Sequence, residues 1–177
     1  PGEERASASD VVLANRLRTA IELLNPSVPE SAREEAFRKV LHASAPSLIQ
    51  TNRACHKLLV EGVTVEIPRE GGGVRGEQVR LVDFDEPERN DFVVVNQLGI
   101  VQGNRSRRPD VVVFVNGLPL AVIELKNAAD EDATIWSAFR QLETYREQIP
   151  SLFHFNEVLV VSDGLEARLG SLSAGKE

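Results

Sequence analysis

Methionine is absent from this 177-residue chain, and cysteine, tryptophan and tyrosine occur once each. The lone cysteine, Cys55, excludes an internal disulfide and any multi-cysteine zinc site. It also fits a reducing compartment, and a cytoplasmic protein is predicted. No apolar run approaches the ~20 residues needed to cross a bilayer, and no basic segment precedes an apolar one as in a secretory signal. Basic charge is in deficit, with 20 Lys and Arg against 27 Asp and Glu, a net charge of −7. Phosphate neutralisation dominates affinity for nucleic acid, so any DNA role must rest on a local basic cluster or on partner chains. The glycine run Gly71–Gly73 is followed by no Gly-Lys-Ser/Thr and opens no helix. It is expected to be a hairpin loop, and the chain by itself should not hydrolyse ATP. Starting at Pro1 without a methionine, the sequence is expected to be trimmed, processed or a piece excised from a longer protein.

What is present is ordinary for a globular protein, with 42% hydrophobic residues, enough for one sizeable core. Residues 1–8 read as a disordered lead-in and 9–62 as a helical layer. Ser9 caps a first helix with Val12, Leu13, Leu17, Ile21 and Leu24 at helical spacing, stopped by Asn25-Pro26. Ser31 and Glu34 form a capping box for a second helix, with Ala36, Phe37, Val40 and Leu41 inward. Pro46 opens a third helix, carrying Leu48, Ile49, Leu58 and Leu59 and ending at Gly62.

From residue 63 the period changes to that of strands. They are expected at Val63–Ile67, Gln78–Phe84, Asp91–Val101, Val111–Val115, Leu120–Ile123 and Glu157–Ser162. Asn127–Asp132 supplies acidic N-cap choices for a helix over Ala133–Ile149, with Ile135, Phe139, Leu142 and Ile149 inward and Pro150 as its stop. Helices, strands, helix, strand make a mixed α/β sheet with helices on its faces, and 63–177 its core.

The most informative stretch is Arg107 to Lys126, two apolar strands around Asn116-Gly117, a strong hairpin signal. Strands this apolar are expected mid-sheet and buried on both faces. Asp110 sits at the start of one, and Glu124 and Lys126 share a face at the end of the other. Buried charges are costly unless paired or bound to metal. A hard cation such as Mg²⁺ would find two carboxylates in Asp110 and Glu124 and a third oxygen in the backbone carbonyl of Leu125. Lys126 could orient an attacking water or stabilise a pentavalent phosphate. The plain alternative is a salt bridge at a strand edge. Gln141 and Tyr145, four apart on the following helix, lie beside its apolar stripe and would otherwise be a helix rim.

These residues resemble a known family. Pro109-Asp110, Glu124-Leu125-Lys126 and Gln141 to Tyr145 resemble the PD-(D/E)xK nuclease motif with the QxxxY motif of its RecB-like branch. The flanks Asn90–Gln97, Arg107–Asn127, Ala133–Leu142 and Asn156–Gly164 resemble the N-terminal domain of type I restriction enzyme R subunits. The resemblance implies a PD-(D/E)xK restriction-endonuclease-like fold and Mg²⁺-dependent cleavage of double-stranded DNA. It implies Asp110 and Glu124 as metal ligands, Lys126 as the catalytic lysine, and Gln141 and Tyr145 as an auxiliary pair. A further ligand from an early helix would be Glu34, Glu35 or His56. It also implies methylation and specificity subunits as partners, and ATP only through helicase-type motor domains absent here. Arg105, Arg107 and Arg108 form the one compact basic cluster near the site, expected to touch phosphate. A catalytically silent docking or DNA-binding module of the same fold is the competing reading, and a small-molecule enzyme lacks any cofactor fingerprint.

Register sets a condition on this site. A plain two-residue turn at Asn116-Gly117 puts Asp110 opposite Ile123, leaving Glu124 on the other face, where it could share no metal with Asp110. A three-residue loop with Gly117 as a bulge would bring Asp110 opposite Val122, diagonal to Glu124. That loop, or an equivalent bulge, is predicted.

Overall fold

The structure, a computed structural model, describes residues 4–69, 71–127 and 134–175. Helix α1 (Ala14–Leu24) buries Leu17, Ala20 and Ile21. It starts after Leu13 and not at Ser9, because the preceding residues close a turn of their own. There Asp10 N–H donates to the Ser7 carbonyl and Ser7 N–H to Asp10 Oδ2. Residues 4–8, part of the expected lead-in, lie against the domain. Arg5 donates to the Gly99 carbonyl, Val101 N–H to the Ala8 carbonyl, and Arg16 pairs with Glu4 at 2.7 Å.

Helix α2 (Glu30–Leu41) begins after Pro29 with no side-chain cap, so the Ser31–Glu34 capping box does not form. Its inner stripe is Ala32, Ala36, Phe37 and Val40, with Leu41 exposed. Helix α3 (Leu48–Glu61) is capped by Ser47, just after Pro46, and its last turn closes on Gly62. Strand β1 (Val63–Pro68) pairs with β2 (Val74–Val79) around the glycine loop. β2 is earlier than the strand expected at Gln78–Phe84. It ends at Val79 because the Asn25 side chain takes both main-chain groups of Arg80, at 2.8 and 2.9 Å. Leu17, Phe37, Cys55, Leu59, Val65 and Val79 belong to one core, which β1 and β2 share with the three helices.

The central sheet is β3 (Phe92–Asn96), β6 (Val111–Val115), β7 (Leu118–Leu125), β8 (Val158–Ser162) and β9 (Ala167–Gly170), in the order 3-6-7-8-9. All neighbours are antiparallel except β7 and β8, which are joined by helix α4 (Ile135–Gln148) as a crossover. The long strand expected over Asp91–Val101 is broken at Gln97, whose φ is 52°. The chain resumes as β4 (Ile100–Gln102), hairpinned to β5 (Arg105–Arg107). Of the acidic turn expected at Asn127–Asp132, residues 128–132 lie outside the described residues, as does Ala133. The helix cap is Thr134, in a capping box with Ser137.

The hairpin β6–β7 decides the site. Its turn has two residues, Asn116 at φ 51° and Gly117 at φ 79°, and pairs Val115 with Leu118 and Phe114 with Pro119. Beyond that the pairs are Val113 with Ala121, Val112 with Val122 and Val111 with Ile123. Leu120 is therefore an extra residue, and the predicted bulge is present at Leu120 with the two-residue turn kept. The three-residue G1 loop does not form. Continued one step, this register sets Asp110 opposite Glu124 itself, a closer pairing than the diagonal one expected from a longer loop.

The bulge also switches faces. Leu118 lies in the core of α1–α3, whereas Val122, with Val112 and Phe114, lies in the core beneath α4. Both faces of the hairpin were expected to be fully buried, but only the α4 face is. On the other face the helical layer reaches Leu118 and Leu120 near the turn. Farther on, Val111, Val113, Ala121 and Ile123 are half-buried, and Val94 and Leu169 are 65% and 79% exposed.

Candidate active site

Glu124 points from β7 toward α4 and has 0% exposure. Its Oε1 meets Lys126 Nζ at 3.4 Å, while its Oε2 is buried without a hydrogen-bond partner. Burial, and secondarily the charge of Asp110, pushes its pKa up from 4.5 to about 7, and the Lys126 ammonium only partly offsets them. Asp110 ends the strand-side approach to β6. Its Oδ1 accepts from Gln97 Nε2 at 2.6 Å and its Oδ2 from the Leu125 N–H at 2.8 Å. In an extended strand a residue's N–H and C=O leave by the same edge, so the Leu125 carbonyl is directed to the Asp110 side.

Lys126 Nζ donates to Gln141 Oε1 at 2.5 Å, and Gln141 Nε2 donates to the Tyr145 hydroxyl at 2.5 Å. Gln141 and Tyr145 are one turn apart on α4, so a single helix face delivers both to the strand end. Tyr145 is buried, which raises its phenol pKa, and the charges of Glu124 and Asp110 add to that shift. The fold thus brings Glu124, Lys126, Gln141 and Tyr145 into one hydrogen-bonded chain, with Asp110 held beside it by the Leu125 N–H.

The early helices do not contribute. Glu34 pairs with Arg18 at 3.2 Å, Glu35 with Lys39 at 2.7 Å and His56 with Glu157 at 2.8 Å. Among the described residues, no third His, Cys, Asp or Glu joins the two carboxylates. Arg105 and Arg107 lie on β5 and Arg108 just beyond it. Arg105 and Arg108 are exposed, Arg107 is half-buried, and the Arg108 carbonyl is 3.5 Å from the Tyr145 hydroxyl.

Two carboxylates, one orphaned buried oxygen and a flanking carbonyl suit a hard divalent cation that keeps several waters. The donor set fits such a cation, which Asp110, Glu124 and the Leu125 carbonyl could hold.

The family model for the type I restriction enzyme R protein N terminus matches residues 1–177. The chain belongs to this family. The HindI type I restriction enzyme endonuclease subunit of Haemophilus influenzae is 46% identical over 171 residues, 96% of this chain and 16% of the relative. A Methanocaldococcus jannaschii relative carrying the MjaIXP endonuclease-subunit name is 35% identical over 95% of the chain, again 16% of its own length. The SauCOLORF180P endonuclease subunit of Staphylococcus aureus is 37% identical over 81 residues. This R-protein domain thus spans about one sixth of the relatives it matches along nearly its whole length. Among the described residues, no helix is long and apolar enough to cross a membrane.

One polar residue of the site has no place in the sequence-based set. Gln97 closes the Asn90–Gln97 flank and falls within the strand expected over Asp91–Val101, and its bond to Asp110 depends on a backbone turn that no local pattern announces. Asn116 likewise does more than turn the chain. Buried, it donates to the Leu81 carbonyl and Asn90 Oδ1, and accepts from Asp91 N–H.

Proposed function

We propose that this R-protein domain is the endonuclease of its enzyme, hydrolysing phosphodiester bonds of double-stranded DNA with Mg²⁺ held by Asp110, Glu124 and the Leu125 carbonyl. The observation that carries the reading is the buried, unpartnered Glu124 Oε2 set opposite Asp110. A buried carboxylate with one oxygen left without a donor is costly unless something else claims it. When bound, the cation neutralises charge developing on the phosphate and lowers the pKa of water in its shell.

The chain's own groups do the rest. Asp110 and Glu124 would supply the negative charge that holds the cation, and the Leu125 N–H keeps Asp110 in place. Lys126 presents its ammonium to the phosphate oxygens and to the attacking water, whose oxygen bonds to phosphorus as one ester P–O bond breaks. Gln141 holds Lys126, and Tyr145 holds Gln141, so this pair orients the lysine. Exposed Arg105 and Arg108, with Arg107, meet the DNA backbone. ATP-driven translocation and the methylation and specificity subunits belong to the longer enzyme, in which this domain would act on DNA delivered to it.

Calorimetry with Mg²⁺ or Mn²⁺ on the wild type and on Asp110→Ala tests the metal pair, and plasmid nicking tests the chemistry. Binding lost in Asp110→Ala is the expected result. In the longer enzyme, Glu124→Ala and Lys126→Ala should abolish cleavage but leave translocation intact, and Gln141→Ala or Tyr145→Ala should weaken it less. Wild-type domain that binds no divalent metal would leave a docking module in place of a nuclease.

A further inference from the structure

Among the described residues only two non-glycine positions have positive φ, Asn116 in the hairpin turn and Gln97 at 52°. Asparagine tolerates that region, whereas an unbranched residue such as glutamine rarely enters it, and glycine enters it freely. Gln97 follows the last residue of β3 and bonds to one residue twice. Its N–H donates to the Asp110 carbonyl at 2.8 Å and its Nε2 donates to Asp110 Oδ1 at 2.6 Å. The second carboxylate oxygen is taken by the Leu125 N–H at 2.8 Å.

Asp110 is therefore held from both flanks, by β7 through a main-chain group and from the end of β3 through a side chain. The main-chain bond would survive any residue with an N–H at position 97, and glycine would adopt the turn with less strain. What glutamine alone supplies there is the amide. Left-handed backbone at a residue whose side chain meets a carboxylate of the site points to a functional position.

We propose that Gln97 is a positioning residue, its side-chain amide fixing Asp110 Oδ1 so that the carboxylate keeps one orientation beside Glu124, where the two would hold a cation. This rests on the assignment of Asp110 and Glu124 as the metal pair. Outer partners that orient a ligating carboxylate typically matter about 10–100-fold in metal affinity.

The experiment pairs Gln97→Gly with Asp110→Asn and reads two quantities on each, Mn²⁺ affinity by calorimetry and thermal midpoint without metal. Gln97→Gly is expected to weaken Mn²⁺ binding about tenfold or more while moving the metal-free midpoint little, because relief of the left-handed strain offsets the lost amide bond to Asp110. A residue with a merely structural role would move both in the same direction, and a parallel fall in both overturns the proposal. Wild-type Mn²⁺ affinity in Gln97→Gly, with binding lost in Asp110→Asn, also overturns it while leaving the metal pair standing. Wild-type affinity in Asp110→Asn removes the metal pair, and the role of Gln97 falls with it.

Discussion

At the scale of single residues, Glu124 makes the domain's stability depend on pH. Its folded pKa, about 7, lies above the ordinary 4.5, so the fold favours the protonated form. The stability this contributes is complete below pH 4.5 and is lost as pH rises through about 7, up to about 3 kcal/mol in all. In metal-free chemical denaturation from pH 4.5 to 7.5, Glu124→Gln should lack this decline and end more stable than the wild type at the upper pH. Parallel curves for the two proteins would mean that Glu124 is not strained by burial. A cation must displace the proton, so Mg²⁺ affinity should climb about tenfold per pH unit toward pH 7 and then level. Calorimetry at pH 6 in two buffers of different ionisation enthalpy should count close to one proton released. Zero would contradict the assignment.

At the scale of elements, the hairpin joins two functions through one inserted residue. Leu118 serves the helical core and Glu124 the α4 face, and only the extra Leu120 lets a single strand do both. Deleting Leu120 should cost Mn²⁺ binding or several kcal/mol of stability, because Leu118 or Glu124 must turn to the wrong face. A deletion protein with wild-type urea midpoint and metal affinity would show the bulge to be incidental. The turn itself is pinned. Gly117 accepts from Leu13 N–H at 2.9 Å, and a Cβ there would stand 2.5 Å from the Leu13 carbonyl oxygen. Gly117→Ala combines that clash with a left-handed φ of 79°, and should destabilise by roughly 3 kcal/mol in urea denaturation. A loss below about 0.5 kcal/mol would mean that α1 gives way freely.

Across the whole molecule, two cores share their walls. Leu13 lies in the core under α4 and Leu17, one turn on, in that of the helical layer. Arg16 between them ties Glu4 to Asp91 at 2.7 Å on each side. Neither core can open without exposing the other, so unfolding should be one transition. Trp136 packs against one core, while Cys55, buried and with its thiol pKa raised to about 12, reports on the second. Trp136 fluorescence and Cys55 thiol labelling should share one urea midpoint. Cys55 reacting at distinctly lower urea would mark the helical layer as a separate unit.

Much of this was legible in the chain because it is local. Helix and strand periods placed α1, α3, α4, β1, β6 and β8 to within a few residues. The Asn116-Gly117 pair marked the hairpin, and the resemblance to the PD-(D/E)xK and QxxxY motifs, more than spacing alone, picked out Asp110, Glu124, Lys126, Gln141 and Tyr145, which the fold brings to one strand end. Strict alternation along a strand even showed that a bulge was required, since two carboxylates on opposite faces could not meet. The remainder depended on contacts distant in sequence. Which residue bulges was settled by two cores competing for one strand, and where β2 ends by Asn25 reaching Arg80. The start of α1 moved because residues 7–10 close a turn of their own, and that of α2 because the helix begins after Pro29, whose carbonyl accepts from Ala32 and Arg33 N–H. Gln97 gave no signal because its conformation and its partner exist only once β3 lies beside β6. A period records what one element buries; what two elements must share is decided only when they pack.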